Sequence, residues 1–158
     1  MKRAMKKKRD RLAGVALCCA LLSACNALPR DPAGTSRLIE ERRAFSVALV
    51  DPSLNASPQV VRLIKELEKR TQAHARWQAG TGEALLQRLD DGTLDLAIGH
   101  FRADSPWATQ VAFAPALSIS GRADAPMELK AAMRNGENRW IMTVERASRA
   151  TSATARAQ

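Results

Sequence analysis

Glu83-Ala-Leu-Leu-Gln-Arg-Leu-Asp-Asp-Gly-Thr-Leu-Asp-Leu-Ala-Ile-Gly99 is the stretch whose reading decides the fold. Leu85, Leu86 and Leu89 recur at helical spacing, so a helix is expected over residues 82–90, stopped at the Asp91-Gly92 turn. Leu94 to Gly99 then reads as a short apolar strand. A helix delivering a strand through a tight turn is the second half of a β-α-β unit.

Upstream the same alternation repeats. Phe45 to Val50 is rich in β formers, and Ser57-Pro58 pairs an N-cap with a first-turn proline. Val60, Leu63, Ile64 and Leu67 carry the apolar face of a helix over 58–72, with Glu66 and Arg70 as a solvated pair on the outside. His74 to Gln78 is a second strand. The resulting β-α-β-α-β order predicts an α/β fold: a single three-layer lobe with a mostly parallel sheet flanked by helices.

Downstream, residues 110–114 and 117–120 read as extended segments separated by Pro115. Pro126 is expected to open a helix over 127–134, the Asn135-Gly136 pair to break it, and Glu137 to Arg146 to form another with Trp140, Ile141 and Val144 on one face. Trp77 and Trp140 are both expected in the core. Residues 147–158 lack a core pattern and read as a disordered tail.

The amino terminus has a different character. Met1 to Arg11 is strongly basic, Leu12 to Leu22 is apolar, and Leu22-Ser23-Ala24-Cys25 follows. The apolar run is too short for the ~20 residues of a membrane-spanning helix. This arrangement resembles the signal and lipobox of bacterial lipoproteins. The resemblance implies removal of residues 1–24, diacylglycerol on Cys25 and attachment to the periplasmic face of a membrane, with Asn26 in place of Asp favouring the outer membrane. Residues 25–44, with Pro, Gly, Ser and charge but no periodicity, then read as a lipidated tether, and residues 45–146 as the folded lobe.

Removing the signal also changes the charge. The whole chain carries a formal +9, but the part from Cys25 onward holds 18 basic against 15 acidic residues, which argues against nucleic acid as a partner. Cys18 and Cys19 fall in the signal, so no disulfide is expected in the mature chain. With His74 and His100 the only histidines and no zinc-like spacing, neither a metal nor another cofactor is expected. Gly80-Thr81-Gly82 lacks the third glycine of a dinucleotide loop and reads as a turn before a helix. Asp90-Asp91 sits at a helix stop and reads as a solvated turn rather than a catalytic dyad.

Residues 83–99, together with Gln110-Val-Ala-Phe-Ala-Pro115, resemble the periplasmic solute-binding proteins of ABC importers, in the polar amino-acid class. That family has a helix "L-x-x-L-x-x-G" before "x-D-L-x-x-G", and then "Q-V-x-F-S-x-P". The likeness covers about residues 45–120. It implies a periplasmic-binding-protein-like fold and non-catalytic binding of a small polar solute or a transporter component. Two departures stand out. The family closes two lobes on its ligand, whereas this chain has room for one. The position where the family places a carboxylate-gripping Arg is Trp107 here, and Asp104 lies near the family's Thr; Arg102 is close in sequence as a substitute.

In parallel α/β sheets ligands gather at the strand C-termini. The candidate contacts are therefore Asp51, Ser53 and Asn55 after the first strand, and His100, Phe101, Arg102, Asp104 and Trp107 after the third. The competing expectation is a scaffolding or interaction lipoprotein that has lost ligand capture. An enzyme is not expected, because no nucleophile-base pair stands in a recognisable context.

Overall fold

The computed structural model describes residues 30–158; the expected signal, Cys25 and the residues up to 29 lie outside this range. Six strands form one sheet: β1 (Ala44–Leu49), β2 (His74–Trp77), β3 (Leu96–Arg102), β4 (Val111–Phe113), β5 (Ser118–Arg122) and β6 (Ala125–Arg134). The order across the sheet is β2-β1-β3-β6, with β4 and β5 sharing the far edge of β6. Helices are α1 (Thr35–Arg42), α2 (Pro58–Thr71), α3 (Ala84–Asp90), α4 (Asn138–Thr151) and α5 (Ala153–Arg156).

β3 explains the layering. Leu96 and Ile98 enter one core beneath α2 and α4, while Ala97 and Phe101 enter a second core with Leu85, Leu86 and Leu89 of α3. A strand apolar on both faces needs a helix on each side, which makes three layers. On α2, Val60, Leu63, Ile64 and Leu67 are all buried, each contributing about 1.5–3 kcal/mol relative to exposure. Glu66 and Arg70 pair at 2.7 Å on its outer side, as the spacing predicts.

The sheet is mixed, not mostly parallel. β1 runs parallel to β2 and β3, but β6 is antiparallel to β3, β4 and β5. The cause is connectivity. Beyond β3 the chain has only a 3-10 turn, Pro106–Thr109, instead of a crossover helix, and β5 returns into β6 through a tight hairpin with Arg122 opposite Ala125.

Residues 127–134 are accordingly strand rather than helix. Their Ala, Met, Glu, Leu and Lys content favours helix locally. Burial overrides it: Leu129, Ala131 and Met133 alternate into one core while Ala132 faces the other.

Two terminal assignments also change. The expected tether contains α1, whose Ile39 is buried against the main core. The expected disordered tail continues α4 to Thr151 and adds α5. There Ser152 Oγ donates to Leu117 O at 2.7 Å, and Ala116 N donates to the Gln158 side chain at 3.0 Å. Small residues let this segment dock closely, which is why it shows no bulky apolar pattern: Ala147, Ser148 and Ala155 are fully buried.

Among the three tryptophans, Trp140 is 1% exposed and Trp77 is 51% exposed. Trp140 packs tilted against Phe45, ring centroids 5.8 Å apart, and donates its indole N–H to Asp95 O at 2.8 Å. Trp77 is not core, because β2 is an edge strand whose residues are largely exposed.

Candidate functional site

The parallel strands β1, β2 and β3 end at one edge of the sheet, and three connections rise from it. After β1, Asp51 caps a 3-10 turn, Pro52–Ala56, by accepting Ser53 N–H at 2.9 Å. Leu54 is buried and pins that turn to the core, leaving Asp51, Ser53 and Asn55 exposed. After β2, residues 78–82 are tied back to β1: Gln78 N donates to Val47 O at 2.8 Å and Gly82 N to Val50 O at 3.2 Å. Gly80 has φ 151, and a side chain there would strike Leu85 at 2.5 Å.

Two open clefts flank the Val50–Gly82 contact. The larger, about 610 Å³, lies between Leu49, Pro52, Asn55, Trp77 and the 78–81 connection. The smaller, about 270 Å³, lies between Glu83, His100, Arg102, Pro106 and Trp107. Val50 also closes over Gly99, where an added Cβ would sit 2.6 Å from Val50 Cβ.

The expected contacts thus divide, and Asp51, Ser53 and Asp104 line neither cleft. Asn55 belongs to the larger cleft, and His100, Arg102 and Trp107 line the smaller one. His100, Phe101 and Arg102 are the last residues of β3 rather than a loop. Phe101 is 7% exposed and packs tilted against Phe113, ring centroids 4.8 Å apart, so its ring serves the core while it lines the smaller cleft. Trp107 is half-buried, and its indole N–H reaches Glu83 Oε1 at 3.4 Å.

Arg102 is already engaged. Its guanidinium makes a two-pronged pair with Asp104, Nε to Oδ1 at 2.8 Å and Nη2 to Oδ2 at 3.0 Å. Each raises the other's preference for charge: hydrogen bonding by Arg102 lowers the Asp104 pKa, and Asp104 raises that of Arg102. Asp51 is also held below the ordinary carboxylate range, first by the Ser53 backbone N–H, then by the Ser53 hydroxyl, with a smaller contribution from charge on His100. The rim therefore presents ionised Asp51, while Arg102 and Asp104 are committed to each other.

Trp77, Gln78 and Thr81 line the larger cleft and were not read from the sequence as site residues. The available signal was the shortness of the 74–77 strand before Gly80-Thr81-Gly82, which leaves a tryptophan at an uncovered sheet corner. Among the described residues, no group of three or more His, Cys, Asp and Glu could hold a metal, and no helix is long and apolar enough to cross a membrane.

The sequence matches no family model and no curated protein; its likeness is to solved structures. Domain 1 from TmArgBP of T. maritima, in its arginine-bound form, superposes with TM-score 0.59 at 20% identity, over 72% of this chain and 97% of that one. An ancestral cationic amino acid solute binding protein gives 0.59 at 12% identity, over 73% and 93%. The ancestral amino acid-binding protein described as a precursor of cyclohexadienyl dehydratase gives 0.61 at 11% identity, over 78% and 96%. The chain has the fold of one lobe of a periplasmic-binding-protein-like architecture.

Proposed function

We propose that this protein is a membrane-anchored, periplasmic solute-binding-like lipoprotein, non-catalytic, held by lipid on Cys25, whose site lies at the C-terminal ends of β1, β2 and β3. The preferred solute is small and carries a cationic group. The observation behind this reading is the character of the rim: Arg102 and Asp104 neutralise each other, which leaves Asp51 ionised and, among the described residues, without an ion pair. An ammonium or guanidinium in the larger cleft would meet the exposed face of Trp77, with ionised Asp51 adjoining its Pro52 wall, while the Arg88 guanidinium is taken up by Ala79 O and the Gln78 side chain. The likeness to arginine-bound and cationic amino-acid binders supports the same class.

Both clefts are open, and good small-molecule sites bury ~70–90% of their ligand. Affinity is accordingly weak unless a transporter component covers the edge. The test is a chemical-shift titration comparing arginine, its decarboxylated amine and an acidic amino acid. The amine should perturb residues 51–55, 77–82 and 100–107 at the lowest concentration. If all three ligands leave that edge unmoved while a partner protein binds elsewhere, the chain is a scaffolding lipoprotein that has lost ligand capture.

A further inference from the structure

The opposite edge of the sheet carries a second, contrasting pattern. Arg76 of β2 lies opposite Ser46 of β1, and Ser46 hydrogen-bonds Asp95 through both its N–H and its hydroxyl at 2.7 Å. The next strand in this row contributes Arg134, the last residue of β6. Arg42, from the end of α1, approaches Asp95 at 4.0 Å. Two small grooves, of about 180 and 100 Å³, join these groups, the first between Arg42, Arg76 and Asp95 and the second between Arg42, Arg134 and Ala33. Three guanidinium groups thus line these grooves together with the Asp95 carboxylate, and the exposed Asp90-Asp91 pair precedes Gly92, which lines both. Exposed Arg43 follows Arg42 in the chain at the same edge, and among the described residues Arg43, Arg76 and Arg134 form no ion pair.

This is also the edge where the chain enters the lobe. Arg30 O accepts Asn138 N–H at 3.3 Å, and the Asp31 carboxylate accepts Arg139 N–H at 2.6 Å and Trp140 N–H at 3.2 Å. Only residues 26–29 separate Cys25 from that fixed point. Five links of at most ~3.3–3.6 Å each span no more than about 18 Å. If Cys25 carries lipid, the basic edge is held close to the headgroups and the solute edge faces away.

We propose that this edge docks on anionic phospholipid headgroups as a second membrane contact beside the lipid, through Arg42, Arg43, Arg76 and Arg134. The proposal rests on the lipid-anchor reading. The charge is of the right sign for an anionic leaflet, and acyl chains combined with a basic patch hold a protein more firmly than lipid alone.

The test uses the full chain extracted from membranes and reconstituted in nanodiscs of phosphatidylcholine alone, or of phosphatidylcholine and phosphatidylglycerol in equal parts. Hydrogen exchange over residues 42–44, 75–77 and 133–135 should slow several-fold only in the anionic discs and recover at high salt. Combining Arg43→Gln, Arg76→Gln and Arg134→Gln should abolish the difference without changing Cys25 acylation or the melting temperature. Equal exchange in both discs, protection confined to 51–55 and 100–107, or the same protection from inorganic phosphate in neutral discs would overturn it. Acylation is read separately by mass. If Cys25 is unmodified the anchor reading fails, and sedimentation with phosphatidylglycerol vesicles decides the surface: each arginine removed should weaken binding about fivefold, and unchanged binding of the triple variant would overturn it.

Discussion

The Glu137 carboxylate caps the start of α1 across 102 positions of sequence, accepting Thr35 N–H at 2.9 Å from Oε2 and Ala33 N–H at 2.7 Å from Oε1. Asp31 returns the arrangement, accepting Arg139 and Trp140 N–H at the start of α4 and Ser36 N–H at 2.9 Å in α1. Each helix start thus has orphan amide groups satisfied by a carboxylate from the other segment. Glu137 is 2% exposed, so its loss strands the buried Thr35 N–H and the partly buried Ala33 N–H. Glu137→Ala should destabilise the lobe by about 1.5–3 kcal/mol, measured by urea denaturation. A chain beginning at residue 44 should be less stable than one beginning at residue 30; equal stability would return 30–43 to the status of a tether.

Trp140 and Trp77 should separate stability from binding. Trp140→Ala removes a buried ring and leaves Asp95 O without its donor, at a cost of about 3–5 kcal/mol. Trp77→Ala alters an exposed side chain and should stay within about 0.5 kcal/mol of the parent. Loss of the amine response in Trp77→Ala with unchanged melting is the expected outcome.

Asp51 and Asp104 set the acid behaviour of the rim. Both are depressed in the folded chain, so their contribution to stability is present above the unfolded value near 3.9 and disappears as pH falls through the lower folded value. Carboxyl NMR titration should place both midpoints below that of free aspartate. Arg102→Gln should return Asp104 to the ordinary range and leave Asp51 in place. Ser53→Ala should raise Asp51 only partly, because the stronger backbone donor remains.

Gly99 and Val50 should be energetically coupled. An alanine Cβ at position 99 would meet Val50 Cβ at 2.6 Å, and backbone-anchored Cβ atoms cannot swing aside. Gly99→Ala should cost about 1–3 kcal/mol. Val50→Ala should not relieve it, since the contacting atom is retained, whereas Val50→Gly should. Additive effects in the Gly99→Ala/Val50→Gly pair would show that the contact is not the cause.

Cys25 is the expected membrane attachment. Cys25→Ala should lose palmitate labelling, and that readout tests lipidation directly. Retention of label in the variant would place the lipid on another residue.

The sequence by itself determined the β-α-β-α-β half of the lobe. Leu85, Leu86 and Leu89, the Asp91-Gly92 stop and the run to Gly99 read correctly because helix periodicity and turn chemistry are local. It also pointed to the strand C-termini and drew Asp51, His100 and Arg102 to one edge, since parallel strands must share that end. Tertiary structure alone decided the rest. Residues 127–134 became a strand because two cores bury alternate residues, which outweighs a helical composition. Thr35–Arg42 and Ala153–Arg156 joined the fold through caps and hydrogen bonds to residues about 35 to 109 positions away, which no local pattern records. Trp77 was left uncovered, and Arg102 bound to Asp104 instead of standing free, because covering and pairing depend on which element arrives beside a residue in space.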